Sequence, residues 1–171
     1  AVEARTATLL DTFQTGRVLR VGVQVAIVGR PNVGKSSLFN ALLAANRAIV
    51  TPIPGTTRDV LEEVANLCGY PFRLVDTAGI RPSTAVVEQE GIARACESVE
   101  SADLVLLVLD GSELLSAEDE EAVAVVQGKR VQVVLNKADL PPHVTADELQ
   151  VRFPEWPKIA VSCKERQGLE R

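Results

Sequence analysis

Gly29-Arg30-Pro31-Asn32-Val33-Gly34-Lys35-Ser36 follows the apolar run Val23–Val28 and precedes the helix-like stretch Ser37–Ala45. Strand, glycine loop and helix in that order make G-x-x-x-x-G-K-[ST] a phosphate-binding loop rather than a chance spelling. Gly29 and Gly34 let the backbone fold so that successive N–H groups converge on one concavity, where they and the helix N-terminus hold phosphate oxygens. In this reading Asn32, Val33, Gly34, Lys35, Ser36 and Ser37 contact a nucleotide. Lys35 reaches the β- and γ-phosphates as a catalytic group, and the Ser36 hydroxyl sits on Mg2+.

Working outward, 171 residues suffice for one domain with its own core. Hydrophobic residues make up 46% and aromatics only 4%, a Val/Leu/Ala/Ile interior of the kind found where parallel strands are covered on both faces. No apolar run reaches the roughly eighteen residues of a membrane span, and the first residues lack the regions of a secretory signal. A net charge of −5 argues against a basic nucleic-acid-binding face, so any RNA contact is expected from another domain. Cys68, Cys96 and Cys163 are odd in number and widely spaced, which suits reduced thiols in a cytoplasmic protein better than a disulfide framework or a zinc site.

Residues 1–20 carry a modest helical pattern at Leu9, Leu10 and Phe13, broken at Gly16, and read as an arm leading in from another domain. Residues 21–171 form the nucleotide-binding unit. Ala48–Asp59, with its prolines and Gly55, reads as an ordered but irregular loop. Val60–Leu67 and Phe72–Val75 are predicted to pair as a hairpin through Cys68-Gly69-Tyr70-Pro71, and Val86–Ser101 has helical period. Leu104–Leu109 fits a buried strand. Ser116 caps a helix whose acidic start, Glu118–Glu121, is expected to be solvated, and Gly128 ends it. Val131–Leu135, a loop and short helix over Pro141–Arg152, and a strand at Lys158–Val161 follow. A closing helix is expected to begin just before Arg171 and to be cut short there. Trp156 and His143 fall in proline-containing loops and read as structural or exposed. Alternating strands and helices give an α/β layer fold, mainly parallel, with one antiparallel strand from the hairpin and helices on both faces.

In open α/β sheets ligands bind outside the carboxyl ends of the strands. Four such ends carry polar signals: the glycine loop after Val28, Asp76-Thr77-Ala78-Gly79 after Val75, Asn136-Lys137-Ala138-Asp139 after Leu135, and Ser162-Cys163-Lys164 after Val161. Asp76 can hold Mg2+ directly or through water, and the Gly79 N–H can meet a γ-phosphate. Asp139 offers two acceptor oxygens that match guanine's N1–H and N2–H2 donors, which adenine lacks. Asn136 and Lys137 would brace that loop and cover the base, while backbone N–H groups of Ser162–Lys164 meet guanine O6. GTP rather than ATP is the expected ligand.

With these motifs in place the chain resembles the translation-factor-related GTPases, in the TrmE-Era-EngA-YihA-Septin-like superfamily, and most closely the G domains of the MnmE (TrmE) family of tRNA-modification GTPases. The resemblance covers nearly all of residues 20–171. It is carried by Gly29–Ser37, by Ile49-Val50-Thr51-Pro52-Ile53-Pro54-Gly55-Thr56-Thr57-Arg58-Asp59, by Asp76-Thr77-Ala78-Gly79-Ile80-Arg81 and by Val87–Ala95. The ribosome-assembly GTPase Der shares the second and third of these. It usually has Trp in the guanine motif where this chain has Ala138. The resemblance implies a three-layer Ras-like P-loop NTPase fold.

Ras-like enzymes orient the attacking water with a Gln after the Asp-x-x-Gly glycine. Here that position is Ile80, which offers no hydrogen bond. The resemblance assigns the task to Glu88, acting on the water indirectly, and implies that K+ supplies the charge of an arginine finger. K+ would be held by Asn32 and by loop groups at Thr51, Ile53 and Thr56, with Thr57 completing the Mg2+ shell and Pro52, Pro54 and Gly55 in the same nucleotide-contacting loop. It further implies that two G domains meet face to face to order that loop, so that hydrolysis depends on dimerisation. A flavoprotein partner and tRNA are implied through domains outside this chain, in modification of the wobble uridine. Two other readings remain at this point: a Der-like ribosome-assembly GTPase, and a GTP-sensing scaffold with negligible hydrolysis.

Overall fold

The computed structural model describes residues 22–45, 62–67, 70–76 and 98–169. Its strands are Val23–Val28 (β1), Glu62–Leu67 (β2), Tyr70–Asp76 (β3), Leu104–Asp110 (β4), Val131–Asn136 (β5) and Lys158–Ala160 (β6). Its helices are Lys35–Ala45 (α1), Ala117–Val125 (α2) and Ala146–Arg152 (α3), with one more helical turn at 98–101. The strands form a single sheet in the order β2-β3-β1-β4-β5-β6. β2 runs antiparallel to β3, and every other neighbouring pair is parallel. This is the predicted α/β fold, with the antiparallel strand at one edge.

Alternation along the central strands divides the core between the two faces of the sheet. Val25 and Ile27 of β1, Val108 of β4 and Val134 of β5 pack with Val33, Leu38 and Phe39 on one side. Ala26 and Val28, Val105, Leu107 and Leu109, and Val131, Val133 and Leu135 face the other way, toward Val123, Leu149, Phe153 and Trp156. Ile27, Leu107 and Val133 are wholly shielded from solvent, as strands in the middle of a doubly covered sheet must be. Trp156 is a core residue: its ring stacks on Phe153 with centroids 5.1 Å apart. His143 is exposed.

Several boundaries move. α1 begins at Lys35, so the last two residues of the glycine loop are already helical. Tyr70 and Pro71, assigned by sequence to the hairpin turn, belong to β3, where Tyr70 pairs with Leu67 and Pro71 with Asn66. Cross-strand pairing continues past the proline to Tyr70, so only residues 68 and 69 lie between the two strands. The acidic start of α2 is not wholly solvated either. Asp119 is only 2% exposed, because its carboxylate closes a capping box with Ser116 and also meets Arg30. Thr145 and Glu148 form a second capping box at α3. Among the described residues no helix is long and apolar enough to cross a membrane. The predicted arm at 1–20, the closing helix and most of the Val86–Ser101 helix lie outside the described residues.

Candidate functional site

The parallel strands bring the ends of β1, β4, β5 and β6 to one edge of the sheet, and a cleft of about 470 Å3 opens there. The glycine loop lines it with Asn32 and Gly34, α1 with Ser37, and the β5 and β6 ends with Asn136, Lys137, Asp139, Cys163 and Lys164. Loops more than a hundred residues apart in sequence therefore share one wall.

The glycine loop is held by its own lysine and by its neighbours. Lys35 Nζ donates to the carbonyls of Gly29 and Arg30, both at 2.7 Å, which fixes the ammonium inside the loop. Gly29 and Gly34 lie at positive φ, 155° and 100°. A Cβ on Gly29 would stand 2.3 Å from the Val108 carbonyl oxygen, and one on Gly34 would stand 2.2 Å from Asn136 Nδ2. Those two glycines are needed for close approach as well as for backbone freedom. Asn32 adopts φ 63° and is exposed at the mouth of the cleft.

Arg30, within the glycine loop, is not among the residues that line the cleft. Its Nη2 meets Glu113 Oε2 at 2.5 Å and its Nε meets Asp119 Oδ2 at 3.1 Å. The hydrogen bond it donates to Glu113 raises its pKa further, against the opposing effect of burial. The guanidinium is thus a tether from the glycine loop to the start of α2.

The base end of the cleft is tied to the phosphate end by Asn136. Its Nδ2 donates to the Val33 carbonyl at 2.8 Å, and its Oδ1 accepts from the Cys163 N–H at 3.2 Å. The Ala138 N–H donates to the Val161 carbonyl, docking the loop on the β6 end. Ser162 Oγ donates to Asp139 Oδ1 at 2.6 Å, which holds that carboxylate below the usual range against a smaller opposing effect of burial. The hydroxyl thereby orients the Asp139 carboxylate and favours its ionised form. The Ser162 N–H is committed to the Gln167 carbonyl and the Cys163 N–H to Asn136 Oδ1, so of the three N–H groups expected to meet guanine O6 two are already engaged within the protein. Burial pushes the Cys163 thiol up to about 11, so it sits there as a neutral, half-buried group.

Sequence reasoning passed over the end of β4. Asp110, only 2% exposed, pairs in register with Asn136 and takes Lys137 Nζ on its Oδ2 at 2.5 Å. The rule that singled out four strand ends applies to this fifth one, and a buried aspartate after an apolar run was the available signal.

Ser36 is exposed at the start of α1. The backbone of Asp76 ends β3 and pairs with Ile27 of the adjacent β1. The Ser36 hydroxyl, at the junction of the phosphate loop and α1, is a hard oxygen donor of the kind Mg2+ takes. Thr51, Pro52, Ile53, Pro54, Gly55, Thr56, Thr57, Thr77, Ala78, Gly79 and Glu88 lie outside the described residues.

Comparison with known proteins shows the family. The tRNA modification GTPase MnmE of Heliobacterium modesticaldum is 51% identical over 171 residues, covering 99% of this chain and 36% of the relative. MnmE of Natranaerobius thermophilus is 49% identical over 163 residues, covering 95% and 36%. The chain therefore spans about a third of the length of these curated relatives. Among solved structures, Aquifex aeolicus Era bound to GDP·AlF4− superposes with a TM-score of 0.64 at 33% identity, covering 84% of this chain and 52% of that one. The G domain of the T. maritima FeoB iron transporter gives 0.62 at 31%, covering 86% and 92%. Residues 24–137, which include the glycine loop, the Asp-Thr-Ala-Gly stretch and the first half of the guanine motif, match the 50S ribosome-binding GTPases. A phosphate loop, an ionised aspartate aimed at the base end and a matching family pattern over two thirds of its length lead to one conclusion: this chain belongs to the 50S ribosome-binding GTPase family, as a G domain like those of the MnmE relatives.

Proposed function

We propose that this domain is the K+-stimulated, dimerisation-dependent GTP switch of an enzyme that modifies the wobble uridine of tRNA in the cytoplasm. That the domain hydrolyses GTP follows from its family, which uses Mg2+ in general. The finer reading rests on the likeness to the MnmE relatives, and the nucleotide reading of the cleft rests on one observation above all. The Asn136 bridge to Val33 places the phosphate loop and Asp139 on the same cleft, so one nucleotide can be gripped at both ends.

In this mechanism Lys35 and the glycine-loop N–H groups hold the β- and γ-phosphates, and Asp139 holds the guanine edge. Ser36, Thr57 and Asp76 would hold Mg2+, which supplies charge neutralisation between the phosphates. Arg30 is engaged by Glu113 and Asp119, so it is not available as a finger in cis. K+ on Asn32, Thr51, Ile53 and Thr56 would supply the missing positive charge at the β–γ bridge. Asn32 lines the cleft mouth beside the phosphate loop, which suits that assignment. Glu88 would orient the attacking water indirectly, since Ile80 cannot. The G domain of a second copy would order the threonine loop, and a flavoprotein and tRNA would engage other domains.

GTP turnover tests each part separately. Faster hydrolysis in KCl than in NaCl, together with a dimer in GDP, aluminium fluoride and K+ by sizing chromatography, is expected. Glu88→Ala is expected to abolish turnover while leaving GTP bound. Equal rates in the two salts would remove the K+ assignment, and full activity of Glu88→Ala would remove the glutamate's role.

A further inference from the structure

The segment Asp110-Gly111-Ser112 builds the base end of the cleft from behind. Asp110 and Asn136 are partners in register at the ends of β4 and β5. The next residue carries the pairing further: the Gly111 N–H donates to the Asn136 carbonyl at 2.9 Å, while the Gly111 carbonyl accepts from the N–H groups of His143 and Val144. Both oxygens of Asp110 are used. Oδ1 accepts from the Ser112 N–H at 2.9 Å and from its hydroxyl at 2.6 Å, and Oδ2 takes the Lys137 ammonium at 2.5 Å.

Lys137 stands at φ 63°, a left-handed conformation that a long side chain adopts only under external constraint. Its side chain remains 31% exposed, whereas that of Asp110 is 1% exposed. The ammonium is anchored inward and the aliphatic stem is left beside the cleft. Resting on the guanine-nucleotide reading of that cleft, we propose that Asp110 is a positioning residue for base binding. By fixing the Lys137 ammonium it lays the lysine stem along the cleft wall as an apolar cover for one face of the base. The ordering of a four-bond side chain is thus complete before the ligand arrives, which raises affinity without adding a contact. The discrimination between bases stays with Asp139, because Asp110 touches no base edge.

The test is a double-mutant cycle on GDP affinity by calorimetry, with Asp110→Asn, Lys137→Ala and the double variant. Lys137→Ala is expected to weaken GDP about tenfold, and Asp110→Asn about three- to tenfold, the scale of ordering one long side chain on binding. The double variant is expected to fall within about twofold of Lys137→Ala, because Asp110 acts through that lysine. The ratio of GDP to xanthosine diphosphate affinity is expected to stay unchanged in Asp110→Asn and to invert in Asp139→Asn. A role confined to folding would leave the Asp110 loss in place on the Lys137→Ala background. That outcome, or unaltered GDP binding by Asp110→Asn, overturns the proposal. Should Asp110→Asn fail to fold, Ser112→Ala enters the same cycle, with a smaller loss expected that vanishes once Lys137 is gone. If that loss persists, the proposal falls. If instead Lys137→Ala binds GDP normally and Asp139→Asn keeps its base preference, the guanine reading itself has failed, and this proposal with it.

Discussion

Asn136 donates its side-chain amide to the Val33 carbonyl at 2.8 Å, joining residues 103 apart in sequence. The bond is buried, and Gly34 lacks a side chain where the Asn136 amide passes. Asn136→Ala therefore strands a buried carbonyl and frees the Cys163 N–H together. The expected cost is about 1–3 kcal/mol in urea unfolding. GDP and GTP should weaken together, since both ends of the cleft loosen. Gly34→Ala should lose nucleotide binding outright, because its Cβ collides with the same amide at an unfavourable φ. Normal binding by either variant would separate the two loops energetically.

Arg30 gives a second test. A finger contributes roughly a thousandfold or more to hydrolysis. A tether to Glu113 and Asp119 contributes stability and loop position instead. Arg30→Ala is expected to lower unfolding free energy by about 1–3 kcal/mol, because the Asp119 carboxylate is left buried without its cation. The single-turnover rate should fall by no more than about tenfold. Arg30→Lys should recover little stability, since a compact ammonium does not reproduce the planar fork that meets Asp119 through Nε and Glu113 through Nη2. A thousandfold loss of rate at unchanged stability would restore the finger.

The sheet was legible because its interior strands, Leu104–Asp110 and Val131–Asn136, are nearly pure Val and Leu, and the glycine loop sits at a strand–helix junction. Asp139 and Ser162 were legible for a different reason: strand ends converge in a parallel sheet, so motifs far apart must meet. What escaped was long-range pairing of charge. Nothing near Asp119 in sequence says that Arg30, 89 residues earlier, will bury it. Likewise the partner that gives Asp110 its meaning lies on the next strand. Pro71 misled because proline signals a turn locally, whereas β3 continues through it as the partner of Asn66.

Acid titration follows from the same carboxylates. Burial raises the Asp110 carboxyl, but Lys137 and the two Ser112 hydrogen bonds outweigh it, and the net value lies below the ordinary 3.8. Asp139 is lowered from 3.8 mainly by the Ser162 hydroxyl. In the unfolded chain both return to ordinary values. Their stabilisation is thus complete above about pH 4 and is lost as pH falls through the depressed native values. The urea midpoint of the nucleotide-free protein should be flat from about pH 7 to 5 and should decline below about 4. Asp110→Asn should start lower and decline less steeply in the acid range. A parallel decline in the two proteins would show that Asp110 does not contribute.

Cys163 titrates in the opposite sense. Burial first, and the neighbouring Asp139 charge second, raise its thiol from 9.0 to about 11. At about pH 8 the folded protein should hold roughly a hundredfold less thiolate at this position than the unfolded chain does. Iodoacetamide labelling of Cys163, followed by peptide mass mapping to separate it from Cys68 and Cys96, should be slower in buffer than in urea by that factor. The stabilising preference for the neutral thiol is present below about pH 9 and is lost as pH rises toward 11, so the alkaline urea midpoint should drift down over that interval. Asp139→Asn removes the second cause while leaving the burial, so it should speed labelling severalfold without matching the unfolded rate. Equal labelling in buffer and urea would mean that the β6 end opens faster than the reagent reacts, and that the wall carrying Asp139 is not preformed.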